Sequence, residues 1–328
     1  MTIGVQDRNK ITVGVIRGGP SNEYDVSLRT GGEILKNMPD KYRVQDIFIS
    51  RDGAWHIGGL ERPPERILSQ VDVVFNALHG RYGEDGKLQR ILETHKIPFT
   101  GSSSYASAVA MHKGLAKGVY EKNSLKTPVH MVLYPRDNTI KNLQGIFKRF
   151  PQPSIIKPVS TGSSLGMTLA TDFTSFKRGV EDALRHDSAA MVEEFIKGEE
   201  ATCGVVDSNS ESGIYALIPV ELVRPQNKDF FDYACKYDGL GQEICPGGFS
   251  DDIKKQIQDL AIQAHKALGL RHYSRSDFII APKRGIYILE TNSLPGLTEA
   301  SLIPKSLKAS GISLSDFIDH VLELALSE

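Results

Sequence analysis

Three short apolar runs, rich in β-branched residues, open the chain at 11–16 (ITVGVI), 43–49 and 71–78 (VDVVFNAL), with helical stretches at Asp25 to Asn37 and 86–96. Strands alternating with helices in this way restrict roughly the first hundred residues to a parallel α/β unit. The first run leads into Gly18-Gly19-Pro20. A dinucleotide-binding oxidoreductase is disfavoured there, because G-x-G-x-x-G is missing and Pro20 would disturb the helix start such a loop needs.

The order of elements then changes. A helix is expected over 104–122, a strand from Pro128, a helix over 139–149, and a break at Pro151 and Pro153. A strand (154–157), a Gly/Ser-rich loop (160–166), a strand (167–170), a helix (172–185) and a strand (190–195) follow, which fits a compact α+β lobe. Beyond residue 200, strands at 200–207, 213–222, 273–281 and 285–291 surround a long helix at 251–268, and two helices near 299–310 and 313–326 close the chain.

Composition narrows the class. The 328 residues are 40% hydrophobic and 24% charged, ordinary for globular chains of two or three domains. The net charge of −1 provides no broad field for nucleic acid or a membrane surface, so neither is expected as a partner. Cys203, Cys235 and Cys245 lack a C-x-x-C spacing, which argues against a zinc cluster and a disulfide framework. The first ten residues lack a secretory layout, and no apolar run approaches the roughly 18 residues of a membrane span. A cytoplasmic protein is expected.

The stretch from Ser274 to Asn292 carries the most chemistry. Two apolar runs flank Pro282-Lys283-Arg284-Gly285, which reads as a hairpin. A turn centred on Lys283-Arg284 sets Asp277 opposite Glu290 and Arg275 opposite Asn292. Residues two apart share a strand face, so all four polar groups converge. Hard oxygen donors grouped like this suit Mg²⁺, which completes its shell with water and phosphate. An exposed strand face with ordinary cross-strand ion pairs reads the same residues equally well, and a bulge or a three-residue turn would break the register.

Lys157-Pro158 leads into Ser160-Thr161-Gly162-Ser163-Ser164-Leu165-Gly166, a loop whose backbone N–H groups and hydroxyls could cradle phosphate. It lacks the Walker spacing. A lysine at the end of the preceding strand adds a point charge. Lys113 on its own reads as a surface lysine. The segment Glu193 to Glu200 reads either as an acidic strand end or as a hinge that holds adenine and ribose.

Eight motifs in order resemble those of the D-alanine–D-alanine ligase family of the ATP-grasp fold. They are Gly18 to Ser27, Ala77 to Gly86, Thr100-Gly101-Ser102, Lys157-Pro158, Gly162 to Met167, Asp232 to Tyr237, Arg275-Ser276-Asp277 and Glu290 to Thr298. The resemblance covers nearly the whole chain. It implies an α/β and α+β, three-domain ATP-grasp architecture. Residues 1–112 would form an N-terminal α/β substrate domain, 113–200 the central lobe, and 201–328 a C-terminal lobe with the metal site.

The implied activity is Mg²⁺-ATP-dependent ligation of two D-alanines through an acylphosphate, for peptidoglycan precursors. Two Mg²⁺ ions, replaceable by Mn²⁺, are expected on Asp277, Glu290 and Asn292. By the same resemblance Lys113 and Lys157 serve the ATP phosphates, Glu193, Phe195 and Glu200 the adenosine, and Ser164 and Lys236 also bind ATP. Glu23 receives the first ammonium in a hydrogen-bonded trio with Ser163 and Tyr237, with His79 near that substrate. Arg275 and the Gly296 N–H stabilise the oxyanion, and Ser301 with the Leu302 N–H holds the second carboxylate. Lys236 and Tyr237 belong to a loop that closes over the site, and tyrosine at 237 favours the dipeptide product. A homodimer is expected.

Tyr24, His112, Ser160-Thr161 and Phe231 depart from the family pattern. Sibling ligases for D-lactate or D-serine, and a catalytically inactive nucleotide-binding relative, are the alternatives.

Overall fold

The computed structural model describes residues 10–162, 166–209, 213–225 and 241–328. β1 (Thr12–Gly18), α1 (Tyr24–Lys36), β2 (Arg43–Ile49), β3 (Trp55–Ile57), β4 (Leu60–Glu61), α2 (Pro64–Leu68), β5 (Val73–Asn76) and α3 (Lys87–Thr94) come first. Their sheet has the order β4-β3-β2-β1-β5. It is parallel where β1 meets β2 and β5, and it gains an antiparallel edge, β3 and β4, that the sequence patterning missed.

Both faces of this sheet are covered, which is why its strands read as continuous apolar runs. Ile16, Ile49 and Val74 pack on one side with Leu68, Leu88 and Leu92. Val13, Val15, Val73 and Phe75 point to the other side, where they meet Phe317, Ile318 and Val321 near the end of the chain. Buried Ser27, Thr30, Gly31 and Ile34 give α1 a stripe at helical spacing. A Cβ at Gly31 would lie 2.6 Å from Arg17 Cβ, so glycine sets how closely α1 approaches the sheet. Gly18 has φ +94, and a Cβ there would lie 2.2 Å from Ile49 O. The glycine pair therefore serves a tight turn, pinned by Ser27 Oγ, which accepts from Gly18 N and donates to Ala77 O, both at 2.8 Å.

The helix expected over 104–122 is two helices, α4 (Ser104–Met111) and α5 (Lys113–Lys122). His112 breaks it with ψ 95, and its side chain accepts from Leu115 N. Histidine here is an N-cap, a task that a short carboxylate also performs.

The central sheet is antiparallel, in the order β6-β9-β7-β8, from β6 (His130–Leu133), β7 (Ser154–Pro158), β8 (Thr168–Ala170) and β9 (Ala190–Glu194). α6 (Ile140–Arg149) and α7 (Phe173–His186) cover one face through Leu143, Phe176 and Val180.

The third sheet holds β10 (Glu199–Asp207), β11 (Ile214–Ala216), β12 (Val220–Val223), β13 (Gln242–Ile244), β14 (Tyr273–Ala281) and β15 (Gly285–Asn292). The single strand expected over 213–222 is thus two, β11 and β12, both paired with β10. α8 (Asp251–Ala267) packs on this sheet through Ile257, Ala261 and Ala264, together with Tyr120 of α5. α9 (Leu302–Ala309) and α10 (Leu314–Leu326) complete the described chain.

Candidate active site

The β14–β15 hairpin forms one wall. Asp277 pairs with Glu290 and Arg275 with Asn292. The route to that register differs from the expectation: the turn holds three residues, because Ala281 pairs with Gly285, and the register then shifts between Asp277 and Phe278. Leu289 is the extra residue, a β-bulge. Without it Leu289 would face Asp277, and Glu290 would turn to the opposite side. Two departures, each of which would break the pairing, cancel.

Beneath the wall, Ser276 Oγ and Tyr120 Oη both lie 2.8 Å from Thr291 Oγ1. Above it, Arg275 donates to both Asp277 oxygens at 3.1 and 3.2 Å, and Thr202 Oγ1 donates to Asp277 at 2.5 Å. Burial opposes the Arg275 charge, but the Asp277 carboxylate outweighs it and raises the guanidinium pKa. Asn292 Oδ1 accepts from Leu294 N at 2.9 Å, which orients the amide and leaves its second lone pair.

The donor chemistry fits a hard divalent cation. Among the described residues no group of three or more His, Cys, Asp or Glu could hold a metal. A cation on Asp277, Glu290 and Asn292 would therefore need phosphate or water to complete its shell.

Opposite stand the lysines. Lys113 begins α5, held by its own N–H to Val159 O at 3.0 Å. Its ammonium lies 3.4 Å from Glu290 and donates to Thr161 O at 2.9 Å. Lys157, near the end of β7, reaches Glu193 Oε2 at 3.1 Å, and Lys117 approaches the same oxygen at 3.1 Å. Burial alone would raise the Glu193 pKa, but the two ammonium groups bring it below the ordinary value. Lys117 was not singled out from sequence. The legible signal was its place four residues after Lys113 and three before buried Tyr120, on one helix face.

Phe195 continues from β9, and its N–H is engaged by Pro153 O at 3.1 Å. It can offer its ring and carbonyl to a ligand but not that N–H. Glu200 on β10 lies 3.5 Å from Arg224, a second residue that sequence reading missed.

The first-substrate side comes from the N-terminal sheet. Glu23 precedes α1, its N–H held by Ser21 Oγ at 3.1 Å, and Ser21 Oγ donates to His79 O at 2.7 Å. A Cβ at Gly80 would lie 2.9 Å from one Glu23 oxygen, and a Cβ at Gly162 3.3 Å from the other. His79 Nε2 lies 2.8 Å from Thr30 Oγ1, and its Nδ1 lies 3.4 Å from Glu84. Glu84 also accepts from Gly80 N at 3.0 Å. Glu84 lies within the Ala77 to Gly86 motif, and only these contacts reveal its place beside His79.

Ser301 holds the N-cap position of α9, but its side chain does not cap the helix. Its Oγ accepts from Thr298 N at 3.1 Å and lies 2.7 Å from Thr298 Oγ1. A Cβ at Gly296 would lie 2.9 Å from Ser301 Oγ, so the two pack without a side chain between them. Leu302 begins the helix, where first-turn N–H groups lack helical partners.

The predicted catalytic, ATP-, substrate- and metal-binding residues that are described all line one cavity of about 450 Å³, Glu23 and His79 as well as Phe195 and Glu200. Ser163, Ser164, Phe231, Lys236 and Tyr237 lie outside the described residues.

Known proteins resemble this chain along nearly its whole length. The family model "D-ala D-ala ligase C-terminus" matches residues 120–323, and "D-ala D-ala ligase N-terminus" matches 12–66 and 59–102. The chain is 37% identical over 320 residues to a D-alanine–D-alanine ligase of Syntrophobacter fumaroxidans, covering 97% of this chain and 99% of that one. A Desulfotalea psychrophila ligase of the same name is 36% identical over 326 residues, covering 98% and 97%. Among solved structures, the D-alanine–D-alanine ligase of Coxiella burnetii superposes with TM-score 0.83 at 27% identity, covering 97% of this chain and 94% of that one. The VanG D-Ala:D-Ser ligase of Enterococcus faecalis superposes with TM-score 0.83 at 29% identity, covering 96% and 99%.

Proposed function

The chain belongs to the D-alanine–D-alanine ligase family of ATP-dependent ligases, and we propose that it joins two D-alanines through an acylphosphate, using the side chains around the cavity. The observation that carries this reading is their arrangement. Lys113 stands 3.4 Å from Glu290 of the Asp277/Glu290/Asn292 donor set, and Lys157 and the Glu23 carboxylate line the same cavity.

In this reading residues 1–112 hold the first substrate, while 113–200 and 201–328 clasp the nucleotide. Glu193 and Glu200 address adenine and ribose, and Phe195 packs its ring on the base. Lys113 and Lys157 address the phosphates. Two Mg²⁺ ions on Asp277, Glu290 and Asn292, with Mn²⁺ as a substitute, would supply charge that neutralises the triphosphate.

Three cationic side chains of the cavity each sit on an anion: Arg275 on Asp277, Lys113 on Glu290 and Lys157 on Glu193. Metal-nucleotide binding exchanges these partners, so buried charges are never left alone.

Glu23 receives the first D-alanine's ammonium and aims its carboxylate at the γ-phosphate. A carboxylate oxygen forms the new P–O bond while the bond to ADP breaks. Ser301 and the Leu302 N–H hold the second D-alanine by its carboxylate. Its neutral amine attacks the acyl carbon, Arg275 and the Gly296 N–H receive the developing oxyanion, and phosphate leaves, taking the proton that the nitrogen gives up. Exclusion of water protects the acylphosphate. The product class is a peptidoglycan precursor, made in the cytoplasm where ATP is available. Among the described residues no helix is long and apolar enough to cross a membrane. A homodimer is the proposed assembly.

A second reading, ligation of D-alanine to D-serine, is favoured by the equally close superposition on a D-Ala:D-Ser ligase. Phosphate release from Mg-ATP with D-alanine alone, then with D-serine or D-lactate as competing acceptor, separates them. Release with D-alanine alone and D-alanyl-D-alanine as main product is expected. No release with D-alanine together with any of the three acceptors overturns the ligase reading, and a dominant mixed product overturns the specificity.

A further inference from the structure

Lys117 is fully buried, at 0% exposure, and no step of the proposed reaction uses it. Its ammonium donates to Thr127 Oγ1 at 2.5 Å, and Thr127 donates to Ile288 O at 2.9 Å. Lys117 therefore has a fixed place between α5, β9 and β15. Burial draws its pKa down to about 8, against the pull of Glu193.

The two lysines on Glu193 differ in reach: Lys157 lines the cavity and Lys117 does not. Two ammonium groups on one carboxylate leave one positive charge in excess. Only Lys157 can offer that charge to an anion in the cavity. To do so it must let go of Glu193, and a buried carboxylate without a countercharge is costly.

We propose that Lys117 is a positioning residue, a buried countercharge that holds the Glu193 carboxylate in place so that Lys157 is free to move from Glu193 to a nucleotide phosphate. The inference rests on reading the cavity as an ATP site. Without Lys117, Glu193 would have Lys157 as its remaining ammonium partner here, and each phosphate contact would strand a buried charge. Adenosine makes no such demand, because it carries no phosphate.

Equilibrium binding of Mg-ATP and of adenosine to the wild type, to Lys117→Met and to Lys117→Met/Glu193→Gln tests this. Failure of the wild type to bind either ligand would sink the ATP-site reading itself, whatever Lys117 does. Given wild-type binding, Lys117→Met weakens ATP by about tenfold or more while adenosine changes by less than about twofold. The double variant, with the carboxylate charge gone, returns the ATP-to-adenosine affinity ratio to within about threefold of wild type. Equal weakening of both ligands, unchanged ATP affinity, or a double variant that keeps the single variant's ratio overturns the proposal. Should Lys117→Met not fold, Lys117→Gln keeps a donor for Thr127 without the charge, and the same ratios decide.

Discussion

Arg81 and Asp187 meet at 3.2 Å, and the second Asp187 oxygen accepts from Ser160 N at 2.5 Å. One carboxylate thus ties the segment that carries His79 and Glu84 to the start of the Gly/Ser-rich loop. The contributions are unequal. Asp187→Ala leaves the Ser160 N–H without its acceptor, which costs about 1–3 kcal/mol, and is expected to raise the KM for ATP several-fold. Arg81 is half exposed, so Arg81→Ala is expected to cost under about 1 kcal/mol. Melting curves and ATP kinetics on both variants check the order, and a larger Arg81 effect would refute it.

Asp277→Ala and Glu290→Ala each remove a carboxylate from the hairpin wall and take from Arg275 or Lys113 its paired anion. D-alanine-dependent phosphate release is expected to fall by about 10³-fold or more in either variant. A near-normal rate in Asp277→Ala would rule out the proposed metal site.

Glu23→Gln keeps the shape between Gly80 and Gly162 but removes the charge that receives an ammonium. The KM for D-alanine is expected to rise about 10- to 100-fold, with the KM for ATP within about threefold, since a hydrogen bond to a charged group contributes about 1.5–3 kcal/mol. Parallel rises in both constants would argue against a role confined to the amino acid.

Acid is expected to loosen the contact between the N-terminal segment and the third sheet. Gly101 N donates to His272 Nδ1 at 3.0 Å, and His272 Nε2 lies 3.2 Å from Glu328. His265 Nε2 lies 3.1 Å from Asp207 Oδ1, and His320 Nε2 lies 2.6 Å from Asp207 O. Burial opposes ionisation of Asp207 and Glu328, but His265 for the first, and His272 with Arg271 for the second, bring both pKa values below 3.8 and 4.5. Both carboxylates bind more protons unfolded than folded at mildly acid pH. Their stabilisation is complete above those ordinary values and disappears as pH falls through the lower folded ones. Thermal melts from pH 6 to about pH 3 are expected to show a smaller loss in Asp207→Asn than in wild type, and equal losses would count against the cluster.

Much of the site was legible because its residue types are chemically restrictive. Asp277, Glu290 and Asn292 on a readable hairpin point to a hard cation, and Lys157 before a Gly/Ser loop points to phosphate. The fold was legible where periodicity is long and regular, as in α7, α8 and the β1–α1 unit. It was less so at His112, which ends one helix and caps the next, and at β11 and β12, where two short strands look like one. Lys117, Glu84 and Arg224 escaped because their significance lies in partners distant in sequence.

The pairing of Asp277 with Glu290 marks the division. Sequence alone determined that two apolar strands with polar residues at alternate positions would form a hairpin, since side chains two apart share a face. Tertiary structure decided which face Glu290 occupies. A three-residue turn shifts the register one way, and the bulge at Leu289 shifts it back. Leu289 packs beside the buried Ile279 and Tyr287, and those contacts come from folding two strands together rather than from either strand's own pattern.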